Sequence, residues 1–290
     1  MIEQRDFGRR CLTALNYFII TLISLICLYP MLHVLAASFS DPIRLIRHRG
    51  ALLWPTGYSL KGYETVFNNP NILTGYKNTM IFVIAGTTIN MLLTPLGAYA
   101  LSRTGWPFRK FFVFMFVFTM YFSVGIIPTF MLVKSLGMLN THWAIILPTA
   151  VNTWNMIVMR TAFAGLPAEL HESAYIDGAS DLRILCQIYI PVSKATMAVM
   201  LLFYAVEHWN SWFTAMIYLN KTKLYPLQLF VRDILLYDGT GGTTEDANAI
   251  YIKELTKYAV IIVSVVPILT VYPFVQKFFV KGVMLGSVKG

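Results

Sequence analysis

Long apolar runs separated by short polar segments dominate the hydropathy pattern. A helix crossing the ~30 Å hydrocarbon core needs roughly 20 mostly apolar residues. Six runs approach or exceed that length: 11–35, 78–101, 111–133, 143–159, 195–219 and 258–276. The fourth is rather short. Two longer polar stretches interrupt them. Residues 38–76 are punctuated by Pro42, Gly50, Pro55, Gly57, Gly62 and Pro70, with a short amphipathic piece at Tyr63–Phe67. Residues 220–255 carry Gly239, Gly241 and Gly242 and several charges. The pattern predicts an all-α, polytopic membrane protein with six transmembrane helices, and two external loops at 38–76 and 220–255.

Composition agrees. The chain is 57% hydrophobic and 13% charged, where soluble domains carry about 25% charged residues. Cys11, Cys27 and Cys186 are odd in number and widely spaced, which fits thiols better than a disulfide or metal framework. The net charge of +9 is compatible with nucleic acid binding. In so apolar a chain it fits topology better, and no nucleic acid partner is expected.

Arg5, Arg9 and Arg10 precede the first run, Arg103, Arg109 and Lys110 follow the second, Arg160 the fourth, and Lys277 and Lys281 the last. These short basic segments share one side only if both termini are cytoplasmic. The long external loops hold nearly as many basic residues, so the short segments carry the orientation. A cleavable leader competes for the first run, with Ala36-Ala37-Ser38 as its site, but the run exceeds the usual apolar stretch of about 7–15 residues. It is expected to remain as a span.

The most informative polar segment lies between the fourth and fifth runs. Pro167 can open a helix, with Glu169 and Glu172 near its positive end. Leu170 and Ala174 share a face, with Ser173 beside them. Gly178 permits a backbone conformation that other residues resist. Ser180 or Asp181 can cap a second short helix, on which Leu182, Leu185 and Ile188 form a stripe before Pro191. The expectation is helix, glycine break, helix, proline.

This segment resembles the signature loop of bacterial ABC importer permeases: Glu-Ala-Ala, three residues, Gly, nine residues, Ile-x-Leu-Pro. Glu172, Ala174, Gly178, Ile188 and Pro191 match in register, and Ser173 and Ile190 depart conservatively. The stretches Leu28-Tyr29-Pro30, Ala37-Ser38-Phe39-Ser40, Leu136-Gly137-Met138-Leu139-Asn140-Thr141 and Tyr225-Pro226-Leu227-Gln228 look like carbohydrate-importer permeases, nearest the complex-polysaccharide branch.

The resemblance implies a type I importer permease fold in the bacterial cytoplasmic (inner) membrane. Residues 1–73 would form the first span and external loop, 74–280 the importer transmembrane domain, and 281–290 a cytoplasmic tail. It further implies that the loop is a coupling helix docking on an ATPase. The coupling positions would be Glu169, Glu172, Ser173, Ala174, Asp177, Gly178 and Ala179. A second homologous permease subunit, two ATPase subunits and an external solute-binding protein would complete the complex. The chain has no Walker pattern. It is expected to bind no cofactor or metal and to have no catalytic residues, ATP and Mg acting through the partner ATPases.

Polar residues inside the runs are the candidate translocation path. Glu207 and His208 lie in the fifth run, followed by Trp209, Asn210 and Trp212, with Tyr204 one turn before. A charged carboxylate at mid-membrane costs at least about 2.5 kcal/mol, so it should face a partner or water. Aromatic faces and amide groups suit the two sides of a sugar ring. Asn155 and Asn90 are weaker candidates, as are Asn152 and Thr94. A purely structural latch between helices explains the same residues equally well. The function expected is import of oligosaccharides. The basic first loop (Arg44, Arg47, Arg49, Lys61) suits either an acidic substrate, alginate- or pectin-like, or an acidic binding-protein surface. Neutral oligosaccharides and another solute class stay open. An intramembrane enzyme is disfavoured, because Glu207 and His208 diverge by about 100° on a helix.

Overall fold

The computed structural model describes residues 7–122, 124–236 and 247–287. The described residues contain helices and no strand. Of these, residues 7–69 with 234–236 and 247–266 form one compact unit, and residues 70–122, 124–233 and 267–287 another.

The first unit begins with α1 (Phe7–Ser38), apolar and exposed along most of its length, as a helix bathed in hydrocarbon would be. The Ala37-Ser38-Phe39-Ser40 stretch ends it. Ser40 Oγ donates to the Ala36 carbonyl at 2.8 Å and accepts from the Thr56 N–H at 3.0 Å. Ser38 Oγ pairs with the Tyr63 hydroxyl at 2.8 Å. These hydroxyls stitch the following loop back onto the helix end. The loop itself contains α2 (Pro42–Arg47), capped by the Asp41 carboxylate on the Ile43 and Arg44 N–H groups, and α3 (Lys61–Asn68). The latter is the expected amphipathic piece, one turn longer than the sequence suggests.

The second unit is organised around α4 (Pro70–Ser102), a continuous helix of 33 residues. Around it lie α5 (Arg109–Tyr121), α6 (Ile126–Ser135), α7 (Trp143–Ile146), α8 (Thr153–Ala164), α9 (Ala168–Ile176), α10 (Asp181–Val192), α11 (Lys194–Trp209), α12 (Trp212–Tyr218) and α13 (Leu227–Leu236). The last helix, α14 (Ala247–Ser287), carries Pro267 and Pro273 within it. Among the described residues, three helices are long and apolar enough to span a bilayer unbroken: α1, α4 and residues 251–271 of α14. The third expected run divides into α5 and α6, the fourth into α7 and α8, and the fifth into α11 and α12. Hydropathy sums over a window and does not register such breaks. The polar stretch 220–255 likewise contains α13 and the start of α14, while its glycines Gly239, Gly241 and Gly242 lie outside the described residues.

Two apolar clusters flank α4. Phe82 packs with Val133, Ile145, Ala215, Tyr218 and Leu229, and Ala98, Tyr99 and Leu101 pack with Met156, Phe163, Ile184, Tyr189 and Met200. Between them, α4 presents a polar layer. Asn90, fully buried, donates to the carbonyls of Thr149 at 2.7 Å and Ala150 at 2.9 Å, and its Oδ1 accepts from His208 Nε2 at 2.7 Å. The acceptor role of Oδ1 fixes the proton on Nε2 of His208. Three turns earlier Asn78 repeats the device. It donates to the carbonyls of Lys223 at 2.8 Å and Tyr225 at 3.0 Å, and its Oδ1 lies 3.4 Å from His142 Nε2. Thr79 adds an acceptor for the Leu227 N–H at 2.9 Å. The Tyr225-Pro226-Leu227 stretch is thus held by side chains of α4.

The helix deforms to make this possible. Residues Phe82–Gly86 form a π turn, a local widening common where a helix accommodates a foreign group. A Cβ on Gly86 would overlap the imidazole of His208. At the far end of α4, Arg109 Nε and Arg160 Nε each donate to the Leu101 carbonyl at 3.1 Å. They satisfy a helix-terminal acceptor that would otherwise lack a partner.

Gly86→Val should therefore displace His208, break its bond to Asn90, and cost about 1–3 kcal/mol by overpacking. Thermal unfolding of the purified protein in detergent should shift down by several degrees. Thr88→Val, at an exposed position on the same helix, should leave the midpoint within error.

Candidate functional site

The polar segment between α8 and α11 folds as helix, glycine turn, helix. Pro167 stands at the N-cap of α9, Glu169 lies in its first turn, and Asp177 is the C-cap. Gly178 has φ +74°, its N–H donates to the Tyr175 carbonyl at 3.0 Å, and the Ala179 N–H reaches the Ala174 carbonyl at 3.0 Å. This pair of bonds closes the helix end, and the left-handed glycine is what allows it. The space around Gly178 is open, so its requirement is conformational rather than steric. Ser180 occupies the N-cap position of α10 without a side-chain cap bond. The Asp181 carboxylate accepts instead from the Tyr99 hydroxyl at 2.9 Å.

Of the residues singled out here, Ala174 is buried in the apolar cluster beneath the loop. Ala179 is half-buried, and Glu169, Glu172, Ser173, Asp177 and Gly178 are exposed. Ser173 Oγ turns back to the Glu169 carbonyl at 2.7 Å. Two large apolar side chains stand out on the same surface, Tyr175 at 69% and Ile176 at 84% exposure. Isolated exposed apolar residues are ordinary, but a cluster on a polar loop marks an interaction surface. A groove of about 940 Å³ runs beside them, lined by Tyr99, Arg103, Trp106, His171, Glu172 and Tyr175.

Sequence reasoning missed His171, Tyr99 and Arg103. His171 is buried, and its Nδ1 lies 3.4 Å from the Tyr99 hydroxyl. Burial and then the Arg103 guanidinium push its imidazole below the ordinary histidine pKa, against the pull of Asp181 and Glu172. Its place one residue before the signature glutamate was the only available signal, and nothing in the spacing showed that it points inward.

The membrane cluster separates into two groups. Asn90, Asn155, Tyr204, His208 and Trp209 are buried. Asn90 and His208 form the latch described above, and Tyr204 pairs its hydroxyl with Thr94 Oγ1 at 2.6 Å. Trp209 packs edge-on to Tyr76. Glu207, Asn210 and Trp212 are exposed. Trp212 lies under the Arg232 guanidinium, 5.3 Å from its centre. Glu207 borders two cavities. One of about 620 Å³ is lined by Thr119, Pro148, Thr149, Asn152, Thr153 and Trp154. The other, of about 170 Å³, is lined by Thr149, His208, Asn210, Ser211 and Thr214. Asn152 serves twice: its Oδ1 caps α8 through the Asn155 N–H at 3.2 Å, and its Nδ2 donates to Glu207 at 3.4 Å. The threonines and Trp154 were invisible to sequence reasoning, because they converge only where the α7–α8 segment breaks.

Two outcomes follow from the loop geometry. Gly178→Ala should lower the local opening free energy of α9, read by amide hydrogen exchange, by roughly 1–2 kcal/mol, the cost of a left-handed L-residue; Gly178→Asn should lose less. Because the folded loop holds His171 neutral, its contribution is fully present above about pH 6.5, the unfolded value. Protection of α9 should then fall as pH drops below that value. In His171→Gln this pH dependence should flatten.

Comparison with known proteins identifies the architecture. The chain is 42% identical over 97% of its length to the polygalacturonan/rhamnogalacturonan transport system permease protein YtcP of Bacillus subtilis (strain 168), covering 99% of that protein. It is 39% identical over 91% of its length to Protein LplC of the same organism, covering 90% of it. A crystal structure of a bacterial ABC transporter involved in the import of the acidic polysaccharide alginate aligns with a TM-score of 0.85 at 31% identity, over 94% of this chain and 98% of that one. Residues 93–285 match the family described as binding-protein-dependent transport system inner membrane component. The chain belongs to this family of inner-membrane permease subunits of ABC importers.

Proposed function

We propose that this chain is the permease of an ATP-driven, binding-protein-dependent importer of oligosaccharides, with acidic chains as its substrate class. It crosses the membrane six times with both termini cytoplasmic, the broken helix pairs each serving as one span. A second permease subunit, two ATPase subunits that hydrolyse ATP with Mg, and an external solute-binding protein complete the machine. The chain itself carries out no covalent chemistry.

The observation that carries this reading is the loop from Ala168 to Val192. Its inward side, Ala174 and Ile184, is anchored in the core. Its outward side displays Glu169, Glu172, Ser173 and Asp177 beside Tyr175 and Ile176. A rigid, mixed surface of this kind suits docking to another protein, and a glycine-closed joint keeps its shape under load. For the path, the exposed face of Glu207 with Asn152, Asn210 and the surrounding threonines offers donors and acceptors to sugar hydroxyls. The Asn90–His208 pair braces it from behind.

Substrate class is supported by the alginate transporter and the polygalacturonan/rhamnogalacturonan permease among the similar proteins. The chain adds a feature of its own. Arg44, Arg47 and Arg49 are exposed on and after α2, while the nearby Asp41 carboxylate is engaged in capping that helix. An uncompensated basic surface attracts anions.

The test is uptake by the complex reconstituted in proteoliposomes with its binding protein. Labelled oligogalacturonides should enter in an ATP-dependent manner and neutral malto-oligosaccharides should not. Uptake of the neutral sugars alone would refute the acidic class. Glu172→Lys should reduce both uptake and binding-protein-stimulated hydrolysis by roughly tenfold, the scale of one coupling contact. Normal transport by that variant would refute the coupling role of the loop.

A further inference from the structure

Motion of the α9–α10 loop must reach the membrane helices through some directional contact. Apolar packing beneath the loop, from Ala174, Ile184 and Leu185, resists separation but is not directional. Polar contacts are. Among the described residues, the Tyr99 hydroxyl is the group of α4 with hydrogen-bond partners on both halves of the loop. It lies 2.9 Å from Asp181 Oδ1 on α10 and 3.4 Å from His171 Nδ1 on α9.

The proton balance is defined. A phenol has one hydrogen to give, and the carboxylate of Asp181 can only accept. The contact with His171 therefore requires its Nδ1–H to donate to the phenolic oxygen. The ring of Tyr99 is fixed independently: it meets Tyr189 edge-on at 4.9 Å, and the Arg103 guanidinium lies 6.0 Å from its centre. Arg103 also donates to the Tyr189 hydroxyl at 3.3 Å. Tyr99 is 6% exposed, so water does not compete freely for its hydroxyl.

The helix that carries Tyr99 also carries Thr94 and Asn90. Nine residues of α-helix separate Asn90 from Tyr99, about 13 Å along the axis. Thr94 holds Tyr204, and Asn90 holds His208 and the Thr149–Ala150 turn. These partners adjoin Glu207 and the cavities around it. A displacement applied at Asp181 and His171 thus meets α4, which carries it along the helix to the hydrogen bonds of Thr94 and Asn90 beside the polar cavities.

We infer that Tyr99 is a positioning residue for energy coupling: its hydroxyl straps both halves of the α9–α10 loop to α4 and passes their movement to the membrane cluster. The inference rests on the coupling role of the loop proposed above, and goes beyond it by assigning the transmitting group on the membrane side.

The experiment compares Tyr99→Phe, Asp181→Ala, Asp181→Asn and Glu172→Lys in the reconstituted complex, reading sugar uptake, ATP hydrolysis and the sugar transported per ATP, with Glu172→Lys judged on uptake and hydrolysis and the other three on the ratio. Tyr99→Phe keeps the ring contacts and removes the strap. It should retain complex assembly and binding-protein-stimulated hydrolysis while transport per ATP falls roughly tenfold. Asp181→Ala should behave likewise. Asp181→Asn keeps an acceptor oxygen while losing the charge, and should restore most of the yield; a merely structural role for the carboxylate would not distinguish the two. Normal yield in Tyr99→Phe, or equal loss in both Asp181 variants, overturns the strap, while loss in Glu172→Lys leaves the coupling role standing. If Glu172→Lys also transports normally, the coupling role itself falls and the strap with it.

Discussion

The structure of the larger unit depends on how broken helices are tolerated at membrane depth. In hydrocarbon an unpaired carbonyl has no water to turn to. Where α7 gives way to α8, the carbonyls of Thr149 and Ala150 are taken by the amide of Asn90, and the remaining acceptor of that amide is filled by His208. One fully satisfied side chain thereby permits a non-helical turn, and the turn brings Asn152, Thr149 and Trp154 beside Glu207. The cavities exist because the break exists, and the break is stable because Asn90 serves it. Asn78 does the same for the segment from Lys223 to Tyr225.

This division of labour explains why so polar a cluster is compatible with so apolar a protein. Half-satisfied polar networks are costly in a low-dielectric interior, whereas complete ones rigidify it. Asn90 pairs with His208 and Tyr204 with Thr94, the buried indole N–H of Trp209 stays without a partner, and Glu207, the carboxylate, is placed at the cavity surface rather than within the packed layer. The π turn at Phe82–Gly86 follows from the same constraint: an imidazole must approach α4 closely enough to reach Asn90, and only a widened turn with no side chain leaves room. At the loop end, Tyr99 and the paired arginines on Leu101 fasten α4 to its surroundings. The helix is held at three levels by directional bonds, which is what a transmitting element requires.

Much of this was legible in the residues. Hydropathy alone marks the membrane-crossing regions, since burial in lipid is a property of composition over about 20 residues. The glycine at 178 declares the loop, because a left-handed helix end leaves little choice of residue, whereas Ala174, expected among the coupling positions, turns out to face the core. The Pro-punctuated first loop belongs to the same local chemistry. All of these are decided within a turn or two of the chain.

The breaks were not legible in this way. The run 111–133 divides into α5 and α6 and the run 195–219 into α11 and α12, although hydropathy reads each as continuous. Glu207 and His208 are neighbours in sequence, yet Glu207 is exposed and borders both cavities, whereas His208 is buried, held by Asn90 and reaches only the smaller one. The positions of Asn90, Asn152 and Gly86, 55 to 122 residues away, separate them. The sequence by itself determined the membrane-embedded helical class, the loop and its glycine hinge. The tertiary structure decided which polar groups brace and which face the cavities, because hydrogen-bond satisfaction at membrane depth is settled between helices and not along them.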